Sequence, residues 1–104
     1  MASGVVVWVS GERAELLARR RRQLLPALRW LLRSLEEGGA PRVEEAVLDL
    51  GKGEVPLTLV PEERVVLEKL VPLLAGVTGR RAVKAENALL LALWAWLSAG
   101  SPPP

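Results

Sequence analysis

An uninterrupted apolar run near the C-terminus, residues 88–97, most constrains how this chain can fold. The helix predicted around it, over about residues 80–98, carries leucine, alanine or tryptophan on every side, because successive side chains are rotated by about 100°. A helix that is apolar all round lies either at the centre of a core or between two protomers. A chain of 104 residues can hardly enclose such a helix completely.

We therefore expect a homodimer formed through this last helix. Its interface is expected to contain Leu89, Leu93 and Trp96. Asn87, amid these apolar side chains, is suited to fix the register across a two-fold axis. Trp94 points away from Trp96, so one ring is expected in the core and the other at the interface. The alternative is a monomer in which the sheet covers one face of the helix and another helix covers the other.

The N-terminal part of the chain combines a short strand with a long helix. Residues 5–9 are valines apart from Trp8, and they predict a strand buried on both faces, with Trp8 in the core. Ser10 is a favourable N-cap, and the helix that it opens is expected to run to about residue 37. Because the proline ring removes a backbone hydrogen bond, Pro26 is expected to kink this helix.

The middle of the chain predicts a β-hairpin followed by another helix. Residues 42–50 and 54–60 are extended runs around a glycine-rich loop, and Pro56 makes the second run an edge strand. Pro61 and the acidic residues after it open a helix that Pro72 bends or ends.

These elements together predict a single α+β domain over residues 1–100. It consists of a small three-stranded sheet, antiparallel or mixed, packed on helices in the order β-α-β-β-α-α. Residues 101–104 form a disordered proline-rich tail. No secretory signal is expected at the start, and the apolar run at 88–97 is too short to span a bilayer, so we expect a cytoplasmic protein.

The residue types that are absent exclude several kinds of chemistry. The chain contains no His and no Cys, which removes imidazole bases, thiol nucleophiles, disulfides and His/Cys metal sites. It has no phosphate-binding loop or dinucleotide fingerprint, so we expect no cofactor and no enzymatic activity. Gln23 and Asn87 are the only amides, and with abundant Glu and Arg this composition indicates a thermophilic source.

Charge is distributed unevenly along the chain. Residues 1–35 hold seven Arg and two Glu, whereas residues 36–78 hold four basic and nine acidic side chains. Eleven of the 14 cations are arginine, whose planar fork binds phosphate in a bidentate manner. A surface that needs only to be soluble does not require this asymmetry, although a GC-rich genome also favours arginine.

Leucines and arginines occupy opposite sides of the long first helix. The cationic side is formed by Arg19, Arg22, Arg29 and Arg33, with Trp30 at its margin. We expect Glu15–Arg19 and Arg33–Glu37 as ion pairs at i,i+4 spacing, whereas Arg22 and Arg29 have no acidic residue at that spacing. One interpretation is a charged face that is solvated or paired with the acidic middle segment. The other is a surface whose arginines bind phosphates while Trp30 stacks on a base.

A second cationic cluster is formed by Arg80, Arg81 and Lys84, at the predicted start of the last helix. Cations there oppose the helix dipole, and the free N–H groups of the first turn add to the attraction for an anion. The cluster is therefore a candidate anion site. Alternatively, Glu62, Glu63 or Glu86 neutralises it.

The segment Ser3-Gly4-Val5-Val6-Val7, passing directly into an Arg-rich helix, resembles the archaeal ThermoDBP-related family of single-stranded DNA-binding proteins. The hairpin followed by a helical C-terminal segment is similar too. This resemblance implies a nucleic-acid-binding domain of sheet and helices with a basic, aromatic-bearing cleft. By position, it implies that the binding residues are Arg19, Arg22, Arg29, Trp30 and Arg33.

Two functions follow from these patterns. The leading hypothesis is sequence-tolerant binding of single-stranded DNA or RNA, with arginines on phosphates and Trp30 on a base. The alternative is an oligomerisation or adaptor module whose last helix binds a partner helix. In that case, the arginines of the first helix pair with the acidic middle segment.

Overall fold

The computed structural model describes residues 5–39, 55–78 and 84–102. Its strands and helices are, in chain order, β1 (Val5–Val9), α1 (Gly11–Arg19), α2 (Arg21–Glu36), β2 (Val55–Leu59), α3 (Pro61–Thr78) and α4 (Ala85–Ser98). Within these three ranges, no helix combines the length and the apolar character needed to cross a bilayer.

The two strands pair antiparallel, with Val7 opposite Leu57 and Trp8 opposite Pro56. Side chains alternate between the faces of a strand, and β1 packs on α4 with one face, which buries Val7 and Val9. On the other face, Trp8 is 56% exposed. The expectation that this strand is buried on both faces, with Trp8 in the core, is therefore wrong.

The predicted three-stranded sheet and the order β-α-β-β-α-α are also wrong. In the part of the chain that the structure describes, the sheet has two strands and the order is β-α-α-β-α-α. The additional helix arises because the expected helix over residues 10–37 is interrupted at Arg20, whose φ of -111° and ψ of 24° are not helical. The strand at 54–60 is confirmed as β2, whereas residues 42–50 lie outside the described residues.

Pro26 does not interrupt the helix that contains it, since α2 continues through it to Glu36. A proline at this position removes the hydrogen bond that its N–H would donate to the carbonyl of Arg22. The break lies earlier, at Arg20, where the Gln23 N–H donates to the Arg20 carbonyl at 2.9 Å in a tight turn.

Helix α4 occupies the centre of the core. It packs against α2, α3 and β1, and residues 87–96 are buried with the single exception of Trp94. The fully buried leucines that α2 and α3 contribute to this core are Leu24, Leu28, Leu31, Leu70 and Leu74. One protomer thus covers most of the apolar helix, because α2, α3 and β1 share the covering, and it leaves Trp94 exposed.

Candidate functional site

The break between α1 and α2 brings four consecutive arginines together. Arg19 ends α1, Arg20 lies in the break, and Arg21 and Arg22 open α2. With Leu16, Ala18 and Gln23 they line a cavity of about 710 Å³. The first turn of α2 contains no acidic residue, so the positive end of the helix dipole adds to the guanidinium charges. We call residues 19–22 the arginine junction.

One member of the arginine junction, Arg21, is committed to the fold. Its Nη2 donates to Oε1 of Glu63 at 2.6 Å and to the Thr58 carbonyl at 2.8 Å. The same Oε1 accepts the Val60 N–H at 2.9 Å. Because the Glu63 side chain is only 4% exposed, this network ties the start of α2 to the connection between β2 and α3.

The other three arginines of the junction face solvent to different degrees. Arg19 forms the predicted ion pair with Glu15 at 2.7 Å, with side chains 74% and 68% exposed. Arg20 donates to the neutral amide of Gln23 at 3.0 Å, and no carboxylate of the described ranges pairs with it. Arg22 is exposed, and no residue that the structure describes pairs with it. Two guanidinium charges of the junction therefore lack a carboxylate among the described residues.

The remaining arginines of the predicted stripe lie along α2 in exposed ion pairs. The pair of Arg33 with Glu37, at 3.1 Å, is confirmed. Arg29 pairs at 3.1 Å with Glu62 of α3, a partner that helical spacing alone cannot reveal. Exposed pairs of this kind typically contribute about 0–1 kcal/mol. A phosphate group can therefore replace the carboxylate at low cost.

The aromatic residue predicted for stacking is only partly accessible. Trp30 is partly buried and packs against the core. The exposed tryptophans are instead Trp8, at 56%, and Trp94, at 49%. Sequence reasoning placed Trp8 in the core and did not propose Trp94 as a ligand-binding residue, because the tertiary contacts that decide exposure are not visible in helical or strand periodicity.

The second predicted cationic cluster is described only in part. Lys84 is the N-cap of α4, is exposed, and makes no capping hydrogen bond through its side chain. Arg80 and Arg81 lie outside the described residues. An anion site at the start of α4 therefore stays a prediction.

The residues predicted to form a dimer interface are buried inside the protomer. Leu89, Leu93 and Trp96 are 0%, 2% and 7% exposed, and the Trp96 indole N–H donates to the Pro102 carbonyl at 2.7 Å. Asn87 accepts a hydrogen bond from Arg13 at 2.8 Å in the interior. The helix that carries these side chains packs against α2, α3 and β1 of its own protomer, so a homodimer formed through them stays a prediction.

A smaller cavity of about 250 Å³ lies between α1 and α4. We call it the apolar groove, and its walls are Leu16, Leu90, Leu93, Trp94 and Leu97, with Arg13 and Arg20. Leu16 and Arg20 line both this groove and the cavity of the arginine junction. The cationic and the apolar surface thus share a wall.

No family model, curated protein or solved structure matches the chain. The resemblance to the ThermoDBP-related family therefore stays a prediction. Among the residues that the structure describes, no group of acidic side chains is arranged to hold a metal ion. The arginine junction and the apolar groove are candidate binding surfaces.

Proposed function

We propose that the protein binds single-stranded DNA or RNA with little sequence preference, and that the arginine junction is its main contact with phosphate groups. The supporting observation is that Arg20 and Arg22, at the positive end of α2, have no carboxylate partner among the residues that the structure describes. Arginine on an anionic oxygen forms strong, charge-assisted hydrogen bonds. A single strand offers such oxygens at every nucleotide.

The exposed ion pairs extend this surface beyond the junction. Arg19 continues it on α1, and Arg29 and Arg33 continue it along α2. When the nucleic acid binds, each of these arginines exchanges its carboxylate partner for a phosphate group. Since these charges are solvent-exposed, binding is expected to depend strongly on salt.

A salt titration tests this proposal. A fluorescent single-stranded oligonucleotide of mixed sequence is expected to bind at about 50 mM salt and to lose affinity steeply above it. If about four phosphates are neutralised, the plot of log K against log salt concentration has a slope of about −3. The variant Arg22→Gln is expected to weaken binding at each salt concentration and to make the slope shallower by about 0.7.

A matched control separates local binding from net charge. Arg64→Gln removes an arginine from α3 that is 51% exposed and paired with Glu68. It changes the net charge as Arg22→Gln does, and it is expected to leave affinity and slope unchanged. Absence of binding at about 50 mM salt contradicts the proposal, because non-specific binding is strongest there.

A second function, association through α4, is favoured by one observation: Trp94 is 49% exposed beside the apolar groove. A partner helix that inserts an apolar side chain there would bury this ring. Light scattering tests the simplest case, since a second copy doubles the protomer mass of 11.3 kDa. A monomer at micromolar concentration contradicts self-association.

A further inference from the structure

We propose, resting on the function above, that the apolar groove binds one unpaired base of the nucleic acid. In this arrangement, Trp94 stacks on the base and Arg20 binds the neighbouring phosphate. The proposal moves the aromatic contact from Trp30 on α2 to a surface between α1 and α4.

The arginine junction and the apolar groove share a wall. Arg20 lines the arginine junction on one side and the apolar groove on the other. A nucleotide joins an anionic phosphate to a flat, apolar base. The cationic and the apolar surface of the protein lie next to each other in the same way. The hydrogen-bond partner of Arg20 is the neutral amide of Gln23. No carboxylate of the described residues therefore competes with a phosphate for this guanidinium.

Trp94 is exposed at the apolar groove. Trp94 is the only exposed side chain in residues 87–96, so the core does not require a large apolar ring at this position. The groove encloses about 250 Å³, less than the roughly 300–1,000 Å³ typical of small-molecule pockets. This size suits one flat ring system.

The apolar groove contains few polar groups. Apart from Arg13, Arg20 and the indole N–H of Trp94, its lining side chains are aliphatic, and Arg13 already donates to Asn87. With so few polar groups, the groove is poorly suited to read base edges by hydrogen bonding. Every base has a π-face, so stacking on Trp94 is sequence-tolerant.

Two oligonucleotide probes of equal length test the inference. One is an ordinary single strand, and the other has the same sugar–phosphate backbone without bases. At low salt, the wild-type protein is expected to bind the ordinary probe roughly tenfold more tightly, or better, than the abasic probe. Trp94→Leu is expected to reduce this preference to about twofold or less, by weakening only the ordinary probe.

The matched control is Trp8→Leu. Trp8 is exposed to a similar degree, but it lies on the sheet and lines neither cavity. The same substitution there is expected to leave the preference for bases unchanged. Trp94→Phe keeps a ring for stacking and is expected to retain most of the preference, which separates stacking from a change in folding.

The outcomes distinguish this inference from the proposed function. Equal binding of both probes by the wild-type protein overturns the inference and leaves phosphate binding by the arginine junction standing. No binding of either probe overturns the proposed function, and the inference with it. If Trp94→Leu instead converts a dimer to a monomer and leaves both affinities unchanged, the groove binds a second copy and the inference is wrong.

Discussion

Arg21 and Arg22 are adjacent in the sequence and open the same helix, yet their environments are opposite. Arg21 contacts a buried carboxylate and a strand carbonyl. Arg22 is exposed and has no partner among the described residues. Neighbouring residues on a helix point about 100° apart, so one faces the β2–α3 connection and the other faces solvent. Within one run of arginines, one residue can therefore stabilise the fold while its neighbour contributes to a binding surface.

The same division holds for the other arginines of α1 and α2. Arg13 is 5% exposed and bonded to Asn87, so its charge is used within the protein. Arg19, Arg29 and Arg33 form pairs in which both side chains are more than half exposed. Burial raises the cost of breaking an ion pair, and exposure lowers it. Substitutions of arginines with buried partners are expected to change stability, whereas substitutions of arginines in exposed pairs are expected to change binding.

The largest difference in the free energy of unfolding is expected between the variants Arg21→Gln and Arg22→Gln. Arg21→Gln leaves the buried Glu63 carboxylate without its cation, which is expected to lower the free energy of unfolding by about 3 kcal/mol. Arg22→Gln removes a solvated side chain and is expected to change it by less than about 0.5 kcal/mol. Urea unfolding followed by circular dichroism measures both. Equal stability of the two variants would show that the buried network does not hold α2 in place.

A smaller loss is expected at the other end of this ion pair. Glu63→Ala removes the acceptor of the Val60 N–H and of Arg21, and it is expected to cost about 2 kcal/mol. The cost is smaller because the Arg21 side chain is 32% exposed and can be hydrated. Glu68→Ala, on the same helix, removes a carboxylate that is 62% exposed. It serves as the control, with an expected change below about 0.5 kcal/mol.

The smallest effect is expected at an exposed pair, and its direction is informative. Glu62→Gln removes the carboxylate that competes for Arg29. If a phosphate displaces Glu62 on binding, this variant is expected to bind single-stranded oligonucleotides about two- to threefold more tightly. Fluorescence anisotropy at low salt measures the change. Unchanged affinity would place Arg29 outside the binding surface and confine binding to the arginine junction.

Much of the local structure could be predicted because it depends on residues close in the chain. The strand character of residues 55–59, the helix start at Pro61 and the i,i+4 ion pairs are all confirmed. The break at Arg20 was not predicted, since the proline rule pointed to Pro26 instead.

The amino-acid sequence by itself determined the helical periods, the leucine-rich side of the first helical segment and the excess of arginine opposite it. Which arginine pairs with a buried carboxylate and which tryptophan is exposed depended on the tertiary structure. Glu63, the partner of Arg21, lies 42 residues away in the chain, and Trp94 is exposed because α2, α3 and β1 cover the other sides of α4. Periodicity assigns a side chain to a face, but only packing decides whether that face meets another element or water.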